Sequence, residues 1–113
     1  VLARANRLVS AGDYRNAVRR GGRATAPHAV VYTTRRADGL PARFGFIVAK
    51  TVGVAVVRNL VRRRLKAMSY ELLPGIAPGT DIVIRALPGS GQASWSTLRS
   101  EISAMVDKGG AAE

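Results

Sequence analysis

The chain has 113 residues, room for one domain around one modest core. It has no cysteine, which excludes disulfides, thiolate metal sites and cysteine nucleophiles, and no apolar run approaches the length of a membrane span. Eighteen Lys and Arg against seven Asp and Glu give a net charge of +11, a number that speaks of partners rather than of fold.

No secretory signal pattern is visible, and the expectation is one domain over residues 1–113 in a reducing compartment. "SAGDYRNAVRRGG", residues 10–22, predicts a first helix. Ser10 can cap it, Asp13 favours the positive end of its dipole, and Gly21 is expected to close it in the left-handed conformation. "HAVVYTTRR", residues 28–36, is rich in β-formers and predicts a strand, with a weaker strand signal at Thr25–Pro27. Asp38-Gly39 is a hairpin cue, and "ARFGFIVAK", residues 42–50, is the expected returning strand. Gly45, between Phe44 and Phe46, marks either a bulge or a close approach. Val54, Val57, Val61, Leu65, Met68 and Leu72 recur at helical spacing and predict a helix over 54–72. "PGIAPG" breaks the chain, "TDIVIRAL" at 80–87 is a buried-type strand, and Ser94 caps a last helix with Trp95, Leu98, Ile102 and Met105 inward. The final "KGGAAE" reads as frayed. The expected fold is α+β, a two-layer sandwich of about four strands and three helices in the order α-β-β-β-α-β-α.

The charge is one-sided. Residues 1–66 hold fifteen basic and two acidic residues, a net of +13, and residues 67–113 have a net of −2. The centre of the basic half is "AVVRNLVRRRLKAM", residues 55–68, with five cations between Arg58 and Lys66. On a helical wheel Arg58, Asn59, Arg62, Arg63 and Lys66 share a face away from the apolar stripe, while Arg64 flanks its other side. A solvated helix surface usually mixes signs, yet Arg58–Arg62 and Arg62–Lys66 are like-charged i,i+4 pairs that cost a few tenths of a kcal/mol each, roughly. An external polyanion that offsets this is the better reading, and forked arginine contacts suit phosphate.

These residues carry a family resemblance. "FGFIVAKTVGVAVVRNLVRRRLKAM", residues 44–68, resembles the central block of the bacterial ribonuclease P protein subunit. "NRLVSAGDYRNAVRRG", "VVYTTR" and "DIVIRALP" resemble that family's opening segment and first helix, its second strand and its last strand. The resemblance implies a left-handed strand-helix-strand crossover, where the default is right-handed. It implies a cytoplasmic protein that assists a catalytic RNA in removing the 5′ leader from precursor tRNA, with Mg2+ held mainly by that RNA and no catalytic residue in the polypeptide. By position, Lys50, Arg58, Asn59, Arg62, Arg63 and Lys66 match the RNA-binding motif, and Tyr14, Val18 and Tyr32 match the leader cleft. Leu60 replaces a basic residue common at its position, with Arg64 as a substitute, and Val18 stands where a second aromatic is common.

The residues by themselves leave other readings open. Tyr14 and Tyr32 fit half-buried packing better than base stacking, and only the resemblance brings the two readings level. Arg35 and Arg36 read as exposed edge charges, and His28 as structural or exposed. No acidic pair has general acid/base spacing, and "GSG" at 89–91 lacks the rest of a phosphate loop. The rivals are a general RNA-binding module and a basic peripheral membrane protein. The second would need apolar helix residues free for lipid, and no membrane partner is expected. The sequence is silent on oligomeric state.

Overall fold

The computed structural model describes residues 2–109. Along them run α1 (Ala11–Arg20), β1 (Gly22–Thr25), β2 (Ala29–Arg35), β3 (Arg43–Ile47), α2 (Ala55–Leu72), β4 (Thr80–Ala86) and α3 (Trp95–Lys108). Most of the end expected to fray lies outside the described residues. The weak early strand exists as β1, a few residues before its expected place.

The four strands form one mixed sheet in the order β1-β2-β4-β3. This corrects the hairpin expected at Asp38-Gly39. β2 pairs antiparallel with β4, and β3 lies parallel to β4 on its other side, so β2 and β3 do not pair with each other. Gly39 does take a positive φ of 68°, but the loop it shapes leads past the place of β4. Apolar runs explain why β4 takes the middle: Ile82, Val83 and Ile84 are all fully buried, and a strand covered on both faces has no solvent side to spare.

Alternation on the strands builds two cores. Val31, Phe44, Ile82 and Ile84 face Val61, Leu65 and Met68 of α2 and Leu98, Ile102 and Met105 of α3. Each such side chain contributes about 1.5–3 kcal/mol by leaving water, so this larger core dominates the stability of the sheet. On the opposite face Val30, Tyr32 and Val83 are covered by Leu8 and by Ala17 of α1, with Tyr14 packed at the margin.

Local chemistry accounts for the helix ends. The Ser10 side chain accepts from the Gly12 backbone N–H at 3.2 Å. Gly21 ends α1 without turning left-handed: its φ is −71° and ψ 151°, so the chain passes straight into β1. Glycine is needed there for space, because a Cβ would meet the Ala17 carbonyl oxygen at 2.4 Å. Ser94 caps α3 by accepting from the Thr97 N–H at 3.1 Å. Two expected core residues are outside. Trp95, in the first turn of α3, is 39 % exposed, and Val54, the residue before α2, is 70 % exposed. Both occupy helix ends, where the periodic stripe has run past the sheet.

Candidate nucleic-acid interface

Three elements meet along the outer edge of β3: the segment before α1, α1 itself, and α2. Arg7 lies in a parallel bridge with Phe44, and the Leu8 N–H donates to the Phe44 carbonyl at 2.9 Å. Just beyond, the Tyr14 hydroxyl accepts from the Phe46 N–H at 3.1 Å and donates to the Leu8 carbonyl at 3.4 Å. The edge is thereby covered by backbone and by one phenol, which leaves little of it open to another strand. Gly45 is a close approach and not a bulge. A Cβ there would stand 2.7 Å from the Tyr14 ring, so the glycine lets the ring lie on the strand.

Beside Tyr14 an open groove of about 250 Å³ runs between α1 and the end of β3, lined by Tyr14, Arg15, Val18, Arg19 and Ile47. Tyr14 and Val18 therefore reach one groove. Tyr32 does not line it: its ring is 5 % exposed and packs beneath α1, so it supports the groove from below. Sequence reasoning passed over Arg15 as a lining residue, although its helical spacing to Val18 and Arg19 places it on that face.

The cations of α2 follow the expected wheel. Asn59, Arg63 and Lys66 are exposed, and Arg58 and Arg62 are half-buried. Arg62 donates to Asn59 Oδ1 at 3.2 Å and to the Val48 carbonyl at 3.4 Å, so its fork is held by neutral acceptors. Lys50 is exposed in the turn before α2. Among the described residues, none of Lys50, Arg58, Arg62, Arg63 and Lys66 has an acidic partner within ion-pair distance. Arg64 points elsewhere and donates to the Ala93 carbonyl at 3.2 Å, so it ties α2 to the loop before α3 instead of replacing the cation missing at Leu60. No acidic residue lies in the first turn of α2, and no side chain caps it.

Around β4 two arginines are paired instead. Asp81, 4 % exposed on β4, accepts from Arg43 Nε at 2.9 Å and Nη2 at 2.8 Å, and also from Arg36. Arg43 reaches on to Asp13 of α1 at 3.3 Å. The hydrogen bond to Asp81 raises the pKa of Arg43 above its ordinary value. Arg36 is thus no free edge charge. Its guanidinium also meets Asp38 and the Leu40 and Pro41 carbonyls. His28 finds an acid 73 residues away, Glu101 of α3, with Nδ1 to Oε2 at 2.7 Å. Among the described residues no three His, Cys, Asp or Glu side chains gather as a metal site, and no helix is long and apolar enough to cross a membrane.

Comparison with known proteins finds relatives over nearly the whole chain. The family model described as Ribonuclease P matches residues 2–109. The chain is 54 % identical over 108 residues to a ribonuclease P protein component of Clavibacter michiganensis, covering 96 % of each chain. It is 41 % identical over 116 residues to one of Streptomyces bikiniensis, covering 96 % of this chain and 94 % of that one. The RNase P protein of Staphylococcus aureus superposes with a TM-score of 0.87 at 20 % identity, over 97 % of this chain and 100 % of the other. That of Thermotoga maritima gives 0.78 at 20 % identity, over 90 % and 96 %.

Proposed function

The chain belongs to the ribonuclease P protein family and acts with that enzyme's RNA in removing the 5′ leader of precursor tRNA, and within this role we propose a division of labour between its two surfaces. The outer face of α2, with Lys50, Arg58, Asn59, Arg62, Arg63 and Lys66, holds the catalytic RNA. The groove at Tyr14 and Val18, supported by Tyr32, takes the single-stranded leader of the precursor. The observation that carries the first assignment is the clustering of these five cations on and beside one helix face with no acidic partner for any of them among the described residues, in contrast to Arg36 and Arg43, which are paired with Asp81. Unpaired cations at helical spacing displace counterions from a phosphate backbone and gain affinity in proportion to the phosphates they neutralise. In the groove, the exposed part of Tyr14 offers a surface for a base and Arg15 and Arg19 offer charge to its phosphates.

Among the described residues no group of acids gathers as a magnesium site. Asp13, Asp38 and Asp81 are each met by arginine, and Glu101 by His28. The Mg2+ ions belong to the partner RNA in this reading, where metal-activated water is an established mode of hydrolysis. The polypeptide screens phosphate repulsion and grips the leader, as one RNA-binding domain over residues 1–113 working in the cytoplasm.

Reconstitution tests the proposal. The protein is mixed with a bacterial ribonuclease P RNA and precursor tRNA at low magnesium, with each component alone as control. Cleavage at the mature 5′ end in the mixture, well above RNA alone, is expected. No enhancement, with salt-sensitive RNA binding intact, would reduce the chain to a general RNA-binding module.

A further inference from the structure

Between the groove and α2 lies a second hollow that shares Tyr14 with the groove and Arg62 and Lys66 with α2, and adds Arg7 and Val9, which neither surface includes. It encloses about 220 Å³ on the outer edge of β3. Val9, Tyr14 and Phe46 supply apolar and aromatic walls, and Arg7, Arg62 and Lys66 supply charge. No acidic residue lines it. Val9 is 83 % exposed, an apolar side chain with no packing of its own to justify the position. Arg7 is exposed, and its Nε donates to the Leu2 carbonyl at 3.1 Å, which leaves its remaining donors for a ligand. Arg7 and Lys66 also line an adjoining hollow of about 240 Å³ with Arg63. Four cations from two elements remote in sequence therefore converge on one place.

An apolar wall of base size beneath a cationic rim is the chemistry of one unstacked nucleotide, its base on the wall and its phosphate on the rim. We infer that this hollow binds one unpaired nucleotide of the catalytic RNA, with Arg7, from the segment before α1, completing the phosphate grip begun by Arg62 and Lys66. Two of the three rim cations sit on α2, which is why the partner is the catalytic RNA rather than the leader. The inference rests on the assignment of α2 to that RNA and extends the interface across the β3 edge.

The test is binding of the full chain to ribonuclease P RNA over a range of salt. Arg7→Gln keeps a donor for the Leu2 carbonyl and removes the charge. It is expected to weaken binding several-fold and to reduce the salt slope by about 0.7–0.9. Val9→Ser removes apolar wall without touching charge, so it should weaken binding about three- to tenfold with the slope unchanged. Arg7→Gln and Arg62→Ala together should cost less than the sum of their separate effects, since they share one phosphate. An unchanged slope for Arg7→Gln, beside a reduced slope for Arg58→Ala, overturns the hollow while leaving α2 intact. No effect from either overturns the α2 assignment itself. A defect confined to precursor tRNA, scaling with leader length, overturns the choice of the catalytic RNA as occupant. An effect of Arg7→Gln with none from Val9→Ser overturns the base stacking.

Discussion

Arg43 and Arg58 are the same chemical group put to opposite uses. Arg43 lies on β3 with Asp81 beside it and Asp13 above it, and its charge is consumed within the fold. Arg58 lies on α2 among further cations, and no acid of the described residues comes within ion-pair distance. The difference teaches that a basic chain is not uniformly adhesive. Its seven acids are too few to neutralise eighteen cations, and two of them go to Arg43. The α2 face is among what remains positive.

The contrast can be broken most forcefully from the paired side. Arg43→Ala leaves the buried Asp81 with Arg36 alone and releases Asp13 of α1, so a stability decrease of about 3 kcal/mol is expected in denaturant unfolding. The salt slope of RNA binding should stay as it was. A flattened slope with unchanged stability would mean that Arg43 faces RNA. The unpaired side should behave in reverse. Arg58→Ala with Arg62→Ala should lower affinity for the catalytic RNA and flatten the salt slope by about 0.7–0.9 for each phosphate no longer held, with stability within about 0.5 kcal/mol of wild type. A large fall in the unfolding midpoint would show these residues to be structural.

The smallest effect concerns Asp38. The Leu40 backbone N–H, and then the Arg36 side chain, hold its carboxyl below its ordinary pKa. A carboxylate depressed by folding stabilises the native state above its unfolded pKa, and that contribution disappears as pH falls through its folded one. Asp38→Asn should therefore unfold slightly more easily than wild type at about pH 6, and the two should converge towards about pH 2. Because Asp38 is exposed the gap will be small. A constant gap across this range would remove the carboxylate as its cause.

Periodic, local signals made much of this legible in the sequence. The α2 stripe from Val57 onward, the run of β4 and the Ser10 and Ser94 caps all depend on neighbours within a few residues. The pairing of strands does not. Asp38-Gly39 advertises a hairpin, but the gain from burying Ile82, Val83 and Ile84 on both faces outweighs a local turn preference. Arg36 looked like an exposed edge charge because its partner Asp81 lies 45 residues away in sequence. Arg7 gave no local sign at all, since its place beside α2 is set by a single bridge to Phe44. Tyr32 was ambiguous because alternation along β2 does not say which face a helix will cover.

The sheet order has a consequence for how the molecule is made. The central strand is the last of the four to be synthesised, and both its neighbours must wait for residues 80–86 before they can pair with it. Pairing between segments so far apart raises the contact order and slows folding. Fifteen of the eighteen cations leave the ribosome before that strand does. The nascent chain is thus a polycation without its organising strand, surrounded by ribosomal RNA, and its native binding surface takes shape only after its charge has already been on offer.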